Sequence, residues 1–230
     1  MRLKSFGCSF IFGSDLSDVT DNSDIASNLT WPALLAQQLG YSYTCYARPG
    51  AGNLQTLEKI LDQAVAGNND LFVIGWSWID RFDYYNPEYN GKKWKDWQTI
   101  VPVDQTDLAT TYYRDLHSEY RDKFTSLSYI KLAIDTLKQK NIPFIMTYID
   151  ELLFDQRWHT TPAVLDLQAY VQPYITQFEG KTFLEYSKEK RFPISETFHP
   201  LEVAHRAAGD YIIKVFDKKN TVDPTQQALS

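Results

Sequence analysis

The run Asp70-Leu71-Phe72-Val73-Ile74-Gly75 constrains the fold more than any other stretch of the chain. A strand with no polar face must be covered on both sides, as happens in a parallel sheet flanked by helices. Around this run, short apolar segments alternate with segments of helical period, which is the rhythm of an α/β protein. Residues 3–8, 41–46, 143–149 and a short 182–184 read as further strands, giving an expected parallel sheet of five. Thr30-Trp31-Pro32 opens a helix that Gly40 closes, with proline in the first turn and glycine past the end. Leu54, Leu57 and Leu61 fall at helical spacing, and Leu116, Tyr120, Phe124, Leu127, Ile134 and Leu137 mark a long amphipathic helix. A helix over 164–178 is interrupted near Pro173, and a closing helix covers 201–216. The expectation is one domain over 1–217 with a polar tail over 218–230.

Periodicity disappears between 82 and 113, where Tyr84, Tyr85, Tyr89, Trp94 and Trp97 lie among Asn, Pro and Gly. Loops this long are uncommon and usually serve as lids or binding loops, so the stretch reads as an insertion after the third strand. The chain is 15% aromatic, with 13 Phe, 6 Trp and 15 Tyr, and a share of that sits here. A formal charge of −6 without a Lys/Arg cluster argues against a nucleic-acid partner. No apolar run approaches the roughly 20 residues that span a bilayer. Met1-Arg2-Leu3-Lys4 leads straight into a strand pattern, so the expectation is a soluble, cytoplasmic protein with no membrane partner. Two cysteines, Cys8 and Cys45, cannot by themselves build a disulfide framework or a tetrahedral zinc site.

Ser9 stands at the carboxyl end of the first strand in Gly7-Cys8-Ser9, where open α/β sheets place their ligands. Taken alone, such a serine is more simply a turn or helix-cap residue. Downstream lies Glu196-Thr197-Phe198-His199-Pro200, with Pro200 expected in the first turn of the last helix and His199 on the loop before it. Of the other histidines, His117 falls on a solvated helix, His159 on a loop, and His205 inside the last helix as a packing residue.

Together these blocks resemble the SGNH (GDSL-like) hydrolases, serine esterases on a flavodoxin-like three-layer α/β/α sandwich. The family's blocks are Gly-Asp-Ser, a glycine after the second strand, Gly-x-Asn after the third, and Asp-x-x-His-Pro near the C-terminus. In the same order this chain has Gly7-Cys8-Ser9, Arg48-Pro49-Gly50-Ala51-Gly52-Asn53, Gly75-Trp76-Ser77 and Glu196-Thr197-Phe198-His199-Pro200. Their wording also resembles short phage-encoded members. The resemblance implies a nucleophile at Ser9, a general base at His199 and an orienting acid at Glu196, with no cofactor and no metal. It implies oxyanion donors at the Ser9 and Gly50 backbones and at Ser77, with Gly52 and Asn53 as fallbacks. Cys8, Glu196 and Ser77 are departures, and Ser77 is the most serious, because a hydroxyl is shorter than the amide it replaces. One lost donor costs about 2.7–4 kcal/mol of transition-state stabilisation.

The implied activity is hydrolysis of O-acyl esters, such as O-acetyl groups on a carbohydrate, with an acyltransferase on the same residues as a variant. An inactive binding module that holds a glycan or other ligand on the aromatic insertion is the alternative. Trp76, Trp78, Tyr84, Tyr85, Trp94 and Trp97 are the candidate substrate-contacting rings. Trp76 and Trp78 should share one strand face and form core or wall. A dinucleotide site at Gly50-Ala51-Gly52 lacks the third glycine and the following acid. His199 and His205 do not have the spacing of a helical metal pair.

Overall fold

The computed structural model describes residues 1–20, 24–86 and 96–221. Its elements in chain order are β1 (Arg2–Gly7), a single-turn α1 (Ser9–Phe12), α2 (Trp31–Leu39), β2 (Ser42–Cys45), α3 (Asn53–Gln63) and β3 (Asp70–Trp76). A pair of short strands follows, β4 (Phe82–Tyr85) and β5 (Trp97–Ile100), then α4 (Asp107–Thr111) and the long α5 (Glu119–Gln139). The chain finishes with β6 (Phe144–Tyr148), α6 (Pro162–Val171), α7 (Phe183–Glu189) and α8 (Glu202–Thr221).

The central sheet runs β2-β1-β3-β6 with every pairing parallel. The apolar run on β3 is buried on both faces, as its composition requires. Alternate residues divide between two cores. Leu71 and Val73 pack with Leu35, Phe183, Ala204 and Ile212 from α2, α7 and α8. Phe72, Ile74 and Trp76 pack with Leu57, Ile60, Ile130 and Val164 from α3, α5 and α6. The result is a three-layer α/β/α sandwich with β1 and β3 paired at the middle of its sheet; the chain after β1 runs through α2 on one face and the chain after β3 through α5 on the other.

The sheet has four strands, not five. Residues 182–184 do not extend it, because Thr182 begins α7 through a capping box. The Thr182 Oγ1 accepts the Glu185 N–H at 3.2 Å and the Glu185 carboxylate accepts the Thr182 N–H at 2.9 Å. Beyond β6 the ladder shrinks to one parallel bridge, Met146 to Ile175. Pro200 also departs from expectation: it bridges to Ile194 just ahead of α8 and is not in the first helical turn. The α8 helix itself continues past residue 216 to Thr221.

The insertion is partly regular. Strands β4 and β5 form an antiparallel ribbon with Phe82 opposite Ile100 and Tyr85 opposite Trp97. Thr106 caps α4 by accepting the Ala109 N–H at 3.2 Å. Phe82 stacks on Tyr112 at 4.4 Å between ring centres, and Ile100, Ala109 and Tyr112 make a small core of their own. Among the described residues no helix is long and apolar enough to cross a membrane.

Candidate active site

A pair of glycines seats the first candidate residue. Gly7 and Gly75 lie opposite each other at the carboxyl ends of β1 and β3. A Cβ on Gly7, where φ is +146°, would fall 2.5 Å from the Gly75 carbonyl oxygen. A Cβ on Gly75 would fall 2.5 Å from Ile11 Cγ1. With neither side chain present, Ile11 sinks onto the strand ends and draws α1 down with it. Gly13 ends that turn in the left-handed region at φ 86°, its N–H bonded to the Ser9 carbonyl at 2.8 Å. Ser9 therefore sits at the first position of α1, directly over the sheet.

A tight loop brings the imidazole. Ser195 N–H donates to the His199 carbonyl at 2.9 Å, and Phe198 N–H to the Ser195 carbonyl at 3.0 Å, with Phe198 left-handed at φ 66°. The His199 N–H donates to Ser195 Oγ at 3.1 Å. His199 Nε2 lies 2.8 Å from Ser9 Oγ, so segments from the two ends of the chain meet at this contact. The edge of the Phe10 ring backs the imidazole at 5.3 Å.

The acid on the far side of the ring is Asp15, and Glu196 is not involved. Asp15 Oδ2 is 2.7 Å from His199 Nδ1. The same oxygen accepts from Ser195 Oγ at 2.7 Å and from Thr197 Oγ1. Burial pushes the Asp15 carboxyl up, but hydrogen bonds from Thr197, Ser195 and His199 outweigh it and bring the carboxyl down to about 2. An ionised Asp15 accepts the Nδ1 proton and leaves the Nε2 lone pair facing the Ser9 hydroxyl, the tautomer a general base needs. Glu196 occupies the exposed outer corner of the loop, with no hydrogen bond to His199. The turn from Ser195 back to His199 directs it to solvent. Nothing around Asp15 in the sequence marks it as an acid for a histidine so distant in the chain.

The oxyanion candidates separate by what already holds them. Gly52 N–H is bonded to Asp83 Oδ1 at 3.0 Å. The Asn53 amide spends both hydrogens, on the Ser77 carbonyl at 3.3 Å and Ser126 Oγ at 3.1 Å, while its oxygen accepts the Ser77 N–H at 2.8 Å. Neither the Gly52 N–H nor the Asn53 side-chain amide has a hydrogen left to donate. Ser77 Oγ, by contrast, is buried and has no hydrogen-bond partner among the described residues. A buried hydroxyl without a partner costs about 1–3 kcal/mol, and among the oxyanion side chains Ser77 is the one whose hydrogen is uncommitted. Gly50 adopts φ +80° in an exposed turn where a Cβ would touch nothing, so its glycine serves the backbone conformation.

The aromatic candidates scatter. Trp76 is fully buried in the core beneath α3 and α5, and cannot meet a substrate. Trp78 does not share its face: the strand ends at Trp76, and Trp78 packs against the opposite core, at the rim of a cavity of ≈ 280 Å³ with Leu152, Leu184 and Lys188. Tyr84 packs on the insertion's own core. Tyr85, 55% exposed, sets its edge against Trp97 at 5.6 Å, and both wall a ≈ 120 Å³ cleft with Gly7, Arg48 and Gln55. Trp94 lies outside the described residues. His205 is buried against Phe183 and its Nδ1 accepts the Trp31 N–H at 3.1 Å, which caps α2. His159 bonds Glu119 and His117 pairs with Asp122, both away from Ser9. No group of three or more metal-binding side chains occurs among the described residues.

No protein-family model matches the sequence, and no curated protein does. Solved structures do match. A member of the lipolytic protein G-D-S-L family from Veillonella parvula aligns over 94% of this chain and 98% of its own, at 14% identity and TM-score 0.51. An acetyl xylan esterase from Butyrivibrio proteoclasticus aligns over 95% of this chain and 64% of its own, at 12% identity and TM-score 0.52. A psychrotrophic esterase from Pseudoalteromonas aligns over 94% and 97%, at 8% identity and TM-score 0.50. The fold is that of the SGNH hydrolases. On this fold Ser9 and His199 meet at the carboxyl end of the sheet, and the carboxylate on the histidine comes from just beyond α1.

Proposed function

We propose that the protein is a serine ester hydrolase in which Ser9 is the nucleophile, His199 the general base and Asp15 the orienting acid. The observation that carries this is the unbroken relay from Ser9 Oγ to His199 at 2.8 Å and from His199 to Asp15 at 2.7 Å. Ser9 Oγ attacks the ester carbonyl carbon as its proton passes to His199 Nε2. The tetrahedral oxyanion is held by the Ser9 and Gly50 N–H groups and by Ser77 Oγ, which has no other partner among the described residues. As the C–O bond breaks, the leaving alcohol takes the proton from Nε2 and Ser9 keeps the acyl group. Water then repeats the sequence and frees the acid.

The substrate we favour is an O-acyl ester on a carbohydrate, with O-acetyl as the first acyl group to try. Two things support it: the similar Butyrivibrio protein is an acetyl xylan esterase, and Tyr85 and Trp97 offer ring surface in the cleft beside Gly7. A fluorophosphonate probe tests the enzyme. Wild type should be labelled, and Ser9→Ala and His199→Ala should not, whereas His159→Ala should label like wild type. A wild type that takes no label would mean a ligand-binding module on this fold.

A further inference from the structure

The loop that carries Gly50 is held from both sides by the insertion and by Arg81 just ahead of it. Ahead of the glycine, Arg48 Nη1 donates to the Trp97 carbonyl on β5 at 2.6 Å. After it, Arg81 Nη1 donates to the Ala51 carbonyl at 2.9 Å, and Asp83 on β4 accepts the Gly52 N–H at 3.0 Å. The Asp83 carboxylate is buried, and it also accepts the Gln55 N–H at 3.0 Å, Gln55 Nε2 at 3.2 Å and Thr99 Oγ1 at 2.7 Å. It thereby caps α3, whose own cap residue, Gly52, has no side chain to do so. A Cβ at position 52 would lie 2.6 Å from Asp83 Oδ2, which explains the second glycine of Gly50-Ala51-Gly52. One glycine lets the loop turn, and the other lets a carboxylate from the insertion reach the backbone.

We infer that Asp83 and Arg81 are positioning residues for acyl transfer: through Gly52 and Ala51 they set the direction in which the Gly50 N–H points. The inference rests on the hydrolase reading of Ser9. Neither side chain meets the substrate. A donor aimed at charge that develops only in the transition state contributes to turnover and not to ground-state binding, so misaiming it lowers kcat and spares KM. An ångström of misplacement is enough to matter.

The experiment is p-nitrophenyl acetate hydrolysis by wild type, Asp83→Asn, Arg81→Met and Arg81→Lys, with active sites counted by exhaustive fluorophosphonate titration. Asp83→Asn and Arg81→Met should each lower kcat per titrated site about tenfold or more while KM stays within about twofold. The pH profile should keep its wild-type shape, because the Ser9–His199 contact is untouched, and Arg81→Lys should recover most of the loss. If Asp83→Asn does not fold, Arg81→Met and Thr99→Val are judged by the same criterion. Activity lost only in proportion to titrated sites, with kcat per site unchanged, would overturn the inference. A wild type that neither hydrolyses nor labels would instead remove the hydrolase reading and this inference with it, an outcome distinct from labelled variants of normal kcat.

Discussion

Asp15 shows what a single residue can hide. It follows Gly13-Ser14, sits in the left-handed region at φ 69°, and reaches across to a histidine near the other end of the chain. Ser9 and His199 were legible because each lies in a block tied to the end of an element, and Asp15 was not, because only the folded loop defines its position. Asp15→Asn should cut kcat by about three to four powers of ten, since an amide favours the wrong imidazole tautomer. Glu196→Gln should stay within about twofold of wild type, as expected for a solvated side chain. Ester hydrolysis by the two variants decides between the carboxylates, and the reverse ranking would return the role to Glu196. Ser77 stands where the resemblance would have an asparagine, and only burial reveals that its hydroxyl lacks a partner among the described residues.

At the scale of elements, the sheet was readable where apolar runs are long and misread where they are short. Residues 182–184 are too few for periodicity to separate strand from helix, whereas the Thr182-to-Glu185 spacing was the better signal. Thr182→Ala should cost about 1 kcal/mol of stability in denaturant unfolding. The insertion read as irregular because β4 and β5 are four residues each and hold aromatic rings on both faces. The junction of β1, β3 and α1 gives a sharper test. Gly75→Ala should displace Ile11, and with it Ser9, lowering kcat, and Ile11→Ala in the same chain should restore part of the loss by removing the two side-chain atoms in the clash. Failure of the second change to help would mean the glycine acts through the strand and not through α1.

For the whole molecule, His205 ties distant parts of the fold to pH. Burial pushes its imidazole down to about 3 from an ordinary 6.5, and its unprotonated Nδ1 accepts from the first residue of α2. The unfolded chain binds a proton there that the folded chain refuses, so the contribution is complete above about pH 6.5 and declines as pH falls toward 3. The decline approaches about 1.4 kcal/mol per pH unit at its steepest. Equilibrium unfolding of His205→Asn between pH 7 and pH 4 should show a shallower acid limb than wild type; parallel curves would discount the histidine.

The nucleophile and the carboxylate lie on one short stretch, Ser9 to Asp15, and the imidazole arrives alone. Assembly of the relay thus requires one long-distance encounter where three separately borne groups would require two, and each closure carries its own entropic cost. Catalytic competence on refolding should accordingly return in a single step, when the segment around His199 docks.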